Sequence, residues 1–286
     1  MVSLGAFAGI VVTLIITLFC PVILAFVYII KNKGKGVWKA VVLGAVGFYL
    51  LQIQLRIPVI NVFSSYDWFQ QFAENNYIMY CLILASTAAL VEVVARFVVA
   101  KCLQKELSYQ HGIAAGLGHG GVEAVLLVGM TYVNNLIFAV LINTGLYDGL
   151  VQQVEASSWL EDTPEVTELL VLMKEIILET PARDFYLAGY ERILCILFHI
   201  SMSLLVCYMV YKKKTVLGVG IAFAAHFLVD YVSAVVKGLA TPYLGNVISE
   251  GTAYVMIYGF LTLVAVGSVV LIRKIGKMWK DEGENS

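Results

Sequence analysis

Seven long apolar runs separated by short polar connections dominate the sequence. They cover about 3–30, 37–57, 77–100, 108–143, 185–211, 215–237 and 246–272. A membrane-spanning helix needs about 20 predominantly apolar residues, and each run reaches that length. The pattern therefore predicts an all-α polytopic membrane protein, with a single membrane domain over 1–286 and about seven transmembrane helices.

The fourth run is longer than one span needs and is rich in glycine. The glycines are Gly112, Gly116, Gly118, Gly120 and Gly121. Two interpretations are open at this point. The helix is bent, tilted or broken there, or the glycines permit close packing against neighbouring helices, as small residues do in membranes.

The longest connection, about 144–184, contains a predicted amphipathic helix over 163–180. Thr163-Pro164-Glu165 is typical of a helix start, with proline at the first helical position. Apolar residues then recur at helical spacing: Val166, Leu169, Leu170, Met173, Ile176 and Ile177. Such a helix lies along a membrane surface, and we expect this one to be external, on the outer surface. It serves either as a simple connector or as a gate for substrate.

The distribution of basic residues predicts the orientation. Hydrophobic residues make up 60% of the chain and charged residues only 14%. Most of the 19 Lys and Arg residues fall in alternate connections and in the C-terminal tail. The positive-inside rule then places the N-terminus outside and the C-terminus in the cytoplasm of a multi-pass protein of the cell membrane. The lipid bilayer is the expected partner, and no nucleic-acid partner is expected.

The third to sixth runs each carry two ionisable residues on one helical face. The pairs are Glu92 with Arg96, His119 with Glu123, Arg192 with His199, and His226 with Asp230. Residues four or seven apart share a helix face. Charged residues at the bilayer centre cost about 2.5–3.5 kcal/mol each on insertion scales, so they usually mark function. We expect these four helices to enclose one polar cavity.

The residue types in this cavity favour hydrolysis but leave other functions open. A buried carboxylate can act as general base and then as acid, while histidines orient water and stabilise an oxyanion. Imidazole and carboxylate groups can also bind zinc with one position left for water. The same groups could serve a proton-coupled or cation transporter or channel. A third interpretation is a non-enzymatic scaffold, with structural ion pairs and interhelical hydrogen bonds. The sequence contains no His-Glu-x-x-His, Gly-x-Ser-x-Gly or phosphate-loop motif.

The order of these motifs resembles the YhfC-like intramembrane protease family. That family is related to the PrsW proteases and to the CAAX prenyl endopeptidase (CPBP) superfamily. The similarity extends from about residue 40 to 272. It implies a helical intramembrane endopeptidase of glutamic type, earlier described as a metalloprotease, that acts on membrane-protein or peptide substrates.

The resemblance also implies roles for individual residues. Glu92 and Arg96 match the first motif, whose usual preceding glutamate is Val91 here, and Glu123 matches the carboxylate of the second. The implied catalytic residues are Glu92, Glu123, His199 and His226, supported by Arg96, His119, Arg192 and Asp230. Glu123 is the expected base, alone or shared with Glu92. The cofactor is either none or zinc, and His119, His199 and His226 are the expected ligands of a metal.

Overall fold

The computed structural model describes residues 1–156 and 163–283, and within these ranges it is helical with no β-strand. The helices are α1 (Leu4–Lys31), α2 (Val37–Ser64), α3 (Asp67–Asn75), α4 (Tyr77–Cys102), α5 (Tyr109–Asn143), α6 (Tyr147–Glu155), α7 (Thr163–Glu179), α8 (Ala182–Tyr211), α9 (Thr215–Leu239) and α10 (Glu250–Gly283). All except α3, α6 and α7 are long and apolar enough to cross a membrane. The predicted all-α polytopic fold is confirmed, while its orientation in the membrane stays a prediction.

Three of the long helices contain π-helical segments within the described residues. These segments are Ile15–Phe19 in α1, Tyr49–Arg56 in α2 and Ala124–Gly129 in α5. A π-turn widens the helix locally and often marks a functional site. The fourth apolar run is thus one continuous helix, α5, with a π-segment that begins directly after Glu123.

The chain divides into two compact units, one formed by Met1–Pro21 and Ala124–Ile193, the other by Val22–Glu123 and Leu194–Ser286. In the first unit, an apolar core includes Ile10, Ala139, Tyr147 and Phe185. The buried Tyr147 hydroxyl of α6 donates to the carbonyl oxygen of Leu170 in α7 at 2.8 Å. This hydrogen bond joins α7 to α6 within the first unit.

In the second unit, glycines allow α5 to approach two other helices closely. A Cβ atom at Gly118 would lie 1.9 Å from the Val41 carbonyl oxygen of α2, which no real side chain tolerates. A Cβ at Gly116 would lie 2.4 Å from the Ile200 Cα of α8. The glycines of α5 therefore serve close helix packing, and this packing brings the polar residues of α5 next to those of α8.

Candidate active site

The centre of the candidate site is the ion pair that α4 presents inside the second unit. Glu92 and Arg96 are four residues apart and share one helix face. Arg96 Nη2 donates to Glu92 Oε2 at 3.1 Å, and their side chains are only 1% and 5% exposed, respectively. Burying an ion pair of this kind costs free energy of desolvation. Further polar neighbours are needed to offset that cost.

Three histidines from three other helices supply those neighbours. Glu92 Oε2 lies 3.1 Å from His119 Nε2 of α5, 3.5 Å from His226 Nδ1 of α9 and 3.7 Å from His199 Nδ1 of α8. All three histidines are buried. One carboxylate thus faces one guanidinium and three imidazoles, and Glu92 holds four helices together around one point.

Glu123 has a different position, at the other nitrogen of His199. Glu123 Oε2 lies 2.7 Å from His199 Nε2, while Arg96 Nη2 donates to His199 Nδ1 at 2.6 Å. Arginine has only donors, so Nδ1 must accept and the ring proton must lie on Nε2. Arg96 therefore selects the tautomer of His199 that carries its proton on Nε2, the ring nitrogen nearer Glu123.

Asp230 extends the cluster towards the protein surface. His226 Nε2 lies 3.3 Å from Asp230 Oδ2, and the Asp230 side chain is 37% exposed whereas that of His226 is 6% exposed. His226 faces a carboxylate at each ring nitrogen, with Glu92 on the inner side. The cluster therefore reaches from a buried centre to a partly exposed carboxylate on α9.

Aromatic rings pack against the histidines and keep this part of the site apolar. Phe48 of α2 packs edge-on against His119 with ring centroids 5.0 Å apart, and Phe198 lies 5.6 Å from His226. Sequence reasoning missed both phenylalanines, because a phenylalanine in an apolar run carries no signal of its own. Such surroundings strengthen the electrostatic interactions of the polar groups.

Two other ionisable residues of these helices have partners of their own. Arg192 belongs to the first unit and contacts the carboxylate of its chain neighbour Glu191. His111 is buried near the start of α5, with Nδ1 2.8 Å from the Ser108 hydroxyl oxygen. The residues brought together in the second unit are Glu92, Arg96, His119, Glu123, His199, His226 and Asp230.

The cluster contains a set of donors suited to a metal ion. One ligand atom from each of Glu92, His119, Glu123 and His199 lies within 4.8 Å of the other three, and all four residues are buried. Two imidazoles and two carboxylates are ligands that zinc accepts, so the donor types and their spacing fit a zinc site. His226 adjoins this set through Glu92.

Arg96 affects how His199 can serve such a metal. Histidine ligands usually donate their second ring N–H to an acceptor, which leaves the metal-facing nitrogen with a free lone pair. His199 instead accepts from Arg96 at Nδ1, so its Nε2 carries the proton. A metal could bind His199 Nε2 only after this proton is lost.

A comparison with known protein families identifies the family of the chain. A model described as YhfC intramembrane metalloprotease matches residues 16–249, which is most of the sequence. The chain belongs to this family. The predicted resemblance is therefore confirmed, and the chain is a multi-pass membrane protein of a family described as metalloproteases.

A relative of the family comes from Bacillus subtilis (strain 168). This "Uncharacterized membrane protein YhfC" is 26% identical to the chain over 185 residues, which cover 64% of the chain and 68% of the relative. No solved structure matches the chain. The family description supports proteolytic activity, and the buried histidine and glutamate cluster agrees with the metal that this description implies.

Proposed function

We propose that the protein hydrolyses peptide bonds of membrane-protein or peptide substrates inside the membrane, with Glu123 as the general base. The observation that supports this most strongly is the 2.7 Å contact between Glu123 Oε2 and His199 Nε2 inside the buried cluster. The contact pairs a carboxylate with an oriented imidazole. A base held in position by a third group is the usual arrangement for activating a nucleophile.

The two glutamates differ in what surrounds them. Glu92 Oε2 is within 3.7 Å of Arg96 and of three histidines, so its charge is engaged in holding the cluster. The Glu123 side chain is 11% exposed against 5% for Glu92, and it lies at the edge of the cluster. Glu123 is therefore better placed to receive a water molecule, while Glu92 orients the histidines.

In the proposed reaction, Glu123 removes a proton from water as the water oxygen bonds to the scissile carbonyl carbon. Through Nδ1, which has no hydrogen-bond partner among the described residues, His226 donates an N–H to the oxygen that becomes negatively charged. Glu123 then returns the proton to the amide nitrogen as the carbon–nitrogen bond breaks, giving a carboxylic acid and an amine. His199, fixed by Arg96, keeps the Glu123 carboxylate in position throughout.

Zinc held by this set would polarise the scissile carbonyl and make a bound water more acidic. The residues close enough to hold it are Glu92, His119, Glu123 and His199, and Glu123 would then be a ligand instead of the free base. Metal analysis of the purified protein, together with cleavage in a chelator, distinguishes zinc-dependent from glutamate-only hydrolysis. Full activity in chelator, with no bound metal, supports the glutamate-only form.

The proposal is tested by comparing new protein N-termini in membranes of cells that express the wild type or Glu123→Gln at equal levels. We expect N-termini that map within or beside membrane spans in the wild type and not in the variant. Glu106→Gln is the matched control, because its exposed ion pair with Lys39 contributes little. The same N-termini at the same abundance in Glu123→Gln would refute Glu123 as the base, and their absence from the wild type would refute the peptidase.

A further inference from the structure

We propose that Gln52 binds the substrate backbone, and that its side-chain oxygen accepts a hydrogen bond from a peptide N–H beside the scissile bond. This inference rests on the peptidase function proposed above. Gln52 lies in the π-helical segment Tyr49–Arg56 of α2 and is 7% exposed. Its Oε1 is buried and has no hydrogen-bond partner among residues 1–156 and 163–283.

An unpaired buried amide oxygen is unusual in a native protein. Nearly all buried polar atoms find a partner, and one without a partner destabilises the fold. The penalty is large in an apolar surrounding, because no water is present there to supply the missing hydrogen bond. A partner that arrives only with the substrate accounts for a polar side chain that the folded chain itself does not satisfy.

Contacts between α2 and α4 place Gln52 at the depth of the candidate site. Towards the middle of α2, a Cβ at Gly47 would meet Ala95 and Val99. Further along, Arg56 donates to the Leu84 carbonyl oxygen at 2.8 Å and to Thr87 Oγ1 at 3.1 Å. The two helices are therefore antiparallel.

Gln52 lies between these two contacts, so it is level with the turn of α4 that ends at Glu92. Buried Ala89 belongs to this turn. Phe48, one turn before Gln52, packs edge-on against His119. Gln52 thus lies at the level of the central carboxylate of the cluster, one turn along α2 from the phenylalanine that packs on His119.

The chemistry of a membrane substrate explains why such an acceptor is needed. A transmembrane helix satisfies all its backbone groups internally, because the bilayer core offers no water. Cleavage requires the helix to unwind at the scissile bond, and each unwound residue exposes an N–H with nothing to accept it. Gln52 Oε1 supplies an acceptor at the required depth, in a π-helical segment of the kind that often occurs at functional sites.

The test compares Gln52→Met with Gln54→Met. Both substitutions replace a glutamine amide of the same π-segment with an apolar side chain of similar length. Gln54 is exposed, and its Nε2 donates to the Tyr49 hydroxyl at 2.6 Å. The readouts are the rate at which wild-type-dependent N-termini appear in membranes and the melting temperature of the purified protein. Glu123→Gln is included as the inactive reference.

Gln52→Met is expected to slow the appearance of these N-termini about tenfold, the equivalent of about 1.4 kcal/mol of transition-state binding. Its melting temperature should equal or exceed that of the wild type, because an unsatisfied buried group is removed. Gln54→Met should match the wild type in both readouts. A purely structural glutamine would give a lower melting temperature instead.

Two results would overturn the assignment of Gln52. One is cleavage at the wild-type rate in Gln52→Met. The other is a fall in melting temperature that accompanies the loss of cleavage. In both cases the difference between the wild type and Glu123→Gln persists, so the peptidase stands without the Gln52 contact. If the wild type and Glu123→Gln give identical N-termini, the proposed function itself fails, and this inference fails with it.

Discussion

At the scale of single residues, two buried glutamates take different positions in one cluster. Glu92 contacts Arg96 and three histidines through one oxygen, while Glu123 contacts His199. Helical spacing was sufficient to predict the Glu92–Arg96 and His226–Asp230 contacts, which lie within single helices. It could not predict the Arg96–His199 hydrogen bond, because that bond joins residues 103 positions apart and depends on how two helices pack.

Replacement of Glu92 by glutamine should destabilise the protein more than replacement of Glu123. Glu92→Gln leaves the buried Arg96 guanidinium without its carboxylate, and breaking a buried ion pair costs about 3–5 kcal/mol. Glu123→Gln removes a charge that contacts an imidazole. The measurement is the melting temperature of each variant in the same detergent. Equal melting temperatures would show that Glu92 is not the structural centre of the cluster.

At the scale of elements, the glycines of α5 show what sequence reasoning can leave undecided. The composition allowed a bent or broken helix as well as close packing. The structure shows close packing, with Gly118 against the Val41 carbonyl of α2 and Gly116 against Ile200 of α8. The π-segments after Glu123 and around Gln52 were not predicted, because a widened turn contains the same apolar residues as a regular helix.

Gly118→Ala should therefore disrupt the second unit, while the same change in an open position should not. A Cβ at position 118 would overlap the Val41 carbonyl oxygen, and overpacking of this kind costs about 1–3 kcal/mol or more. At Gly267 in α10 a Cβ meets nothing within 4 Å. We expect a lower melting temperature and lower yield for Gly118→Ala, with Gly267→Ala close to the wild type. Equal behaviour of the two variants would contradict the packing role.

At the scale of the whole molecule, hydropathy alone was enough to predict seven membrane-crossing helices. The helices extend beyond several of the predicted runs, as α2 does to Ser64, where the mostly apolar residues 58–64 continue the helix past Arg56. The division into two compact units was not predicted, since it depends on which helices pack together. The orientation rests on the positive-inside rule and remains a prediction.

The orientation can be measured by labelling single added cysteines in intact cells with a membrane-impermeant maleimide. Glu168 in α7 and Lys277 in α10 are both exposed on the protein. The predicted orientation requires labelling of Glu168→Cys and no labelling of Lys277→Cys until the membrane is permeabilised. The parent protein controls for the five native cysteines. The opposite pattern would place the C-terminus outside.

The central claim is that Glu123 performs the hydrolysis. Its most direct test is the rate at which new N-termini appear in membranes carrying the wild type or Glu123→Gln, with the melting temperatures of the two purified proteins measured alongside. We predict that the variant keeps a melting temperature within a few degrees of the wild type and loses cleavage by at least about 100-fold, as expected when a general base is removed. Cleavage by Glu123→Gln at the wild-type rate would contradict the account.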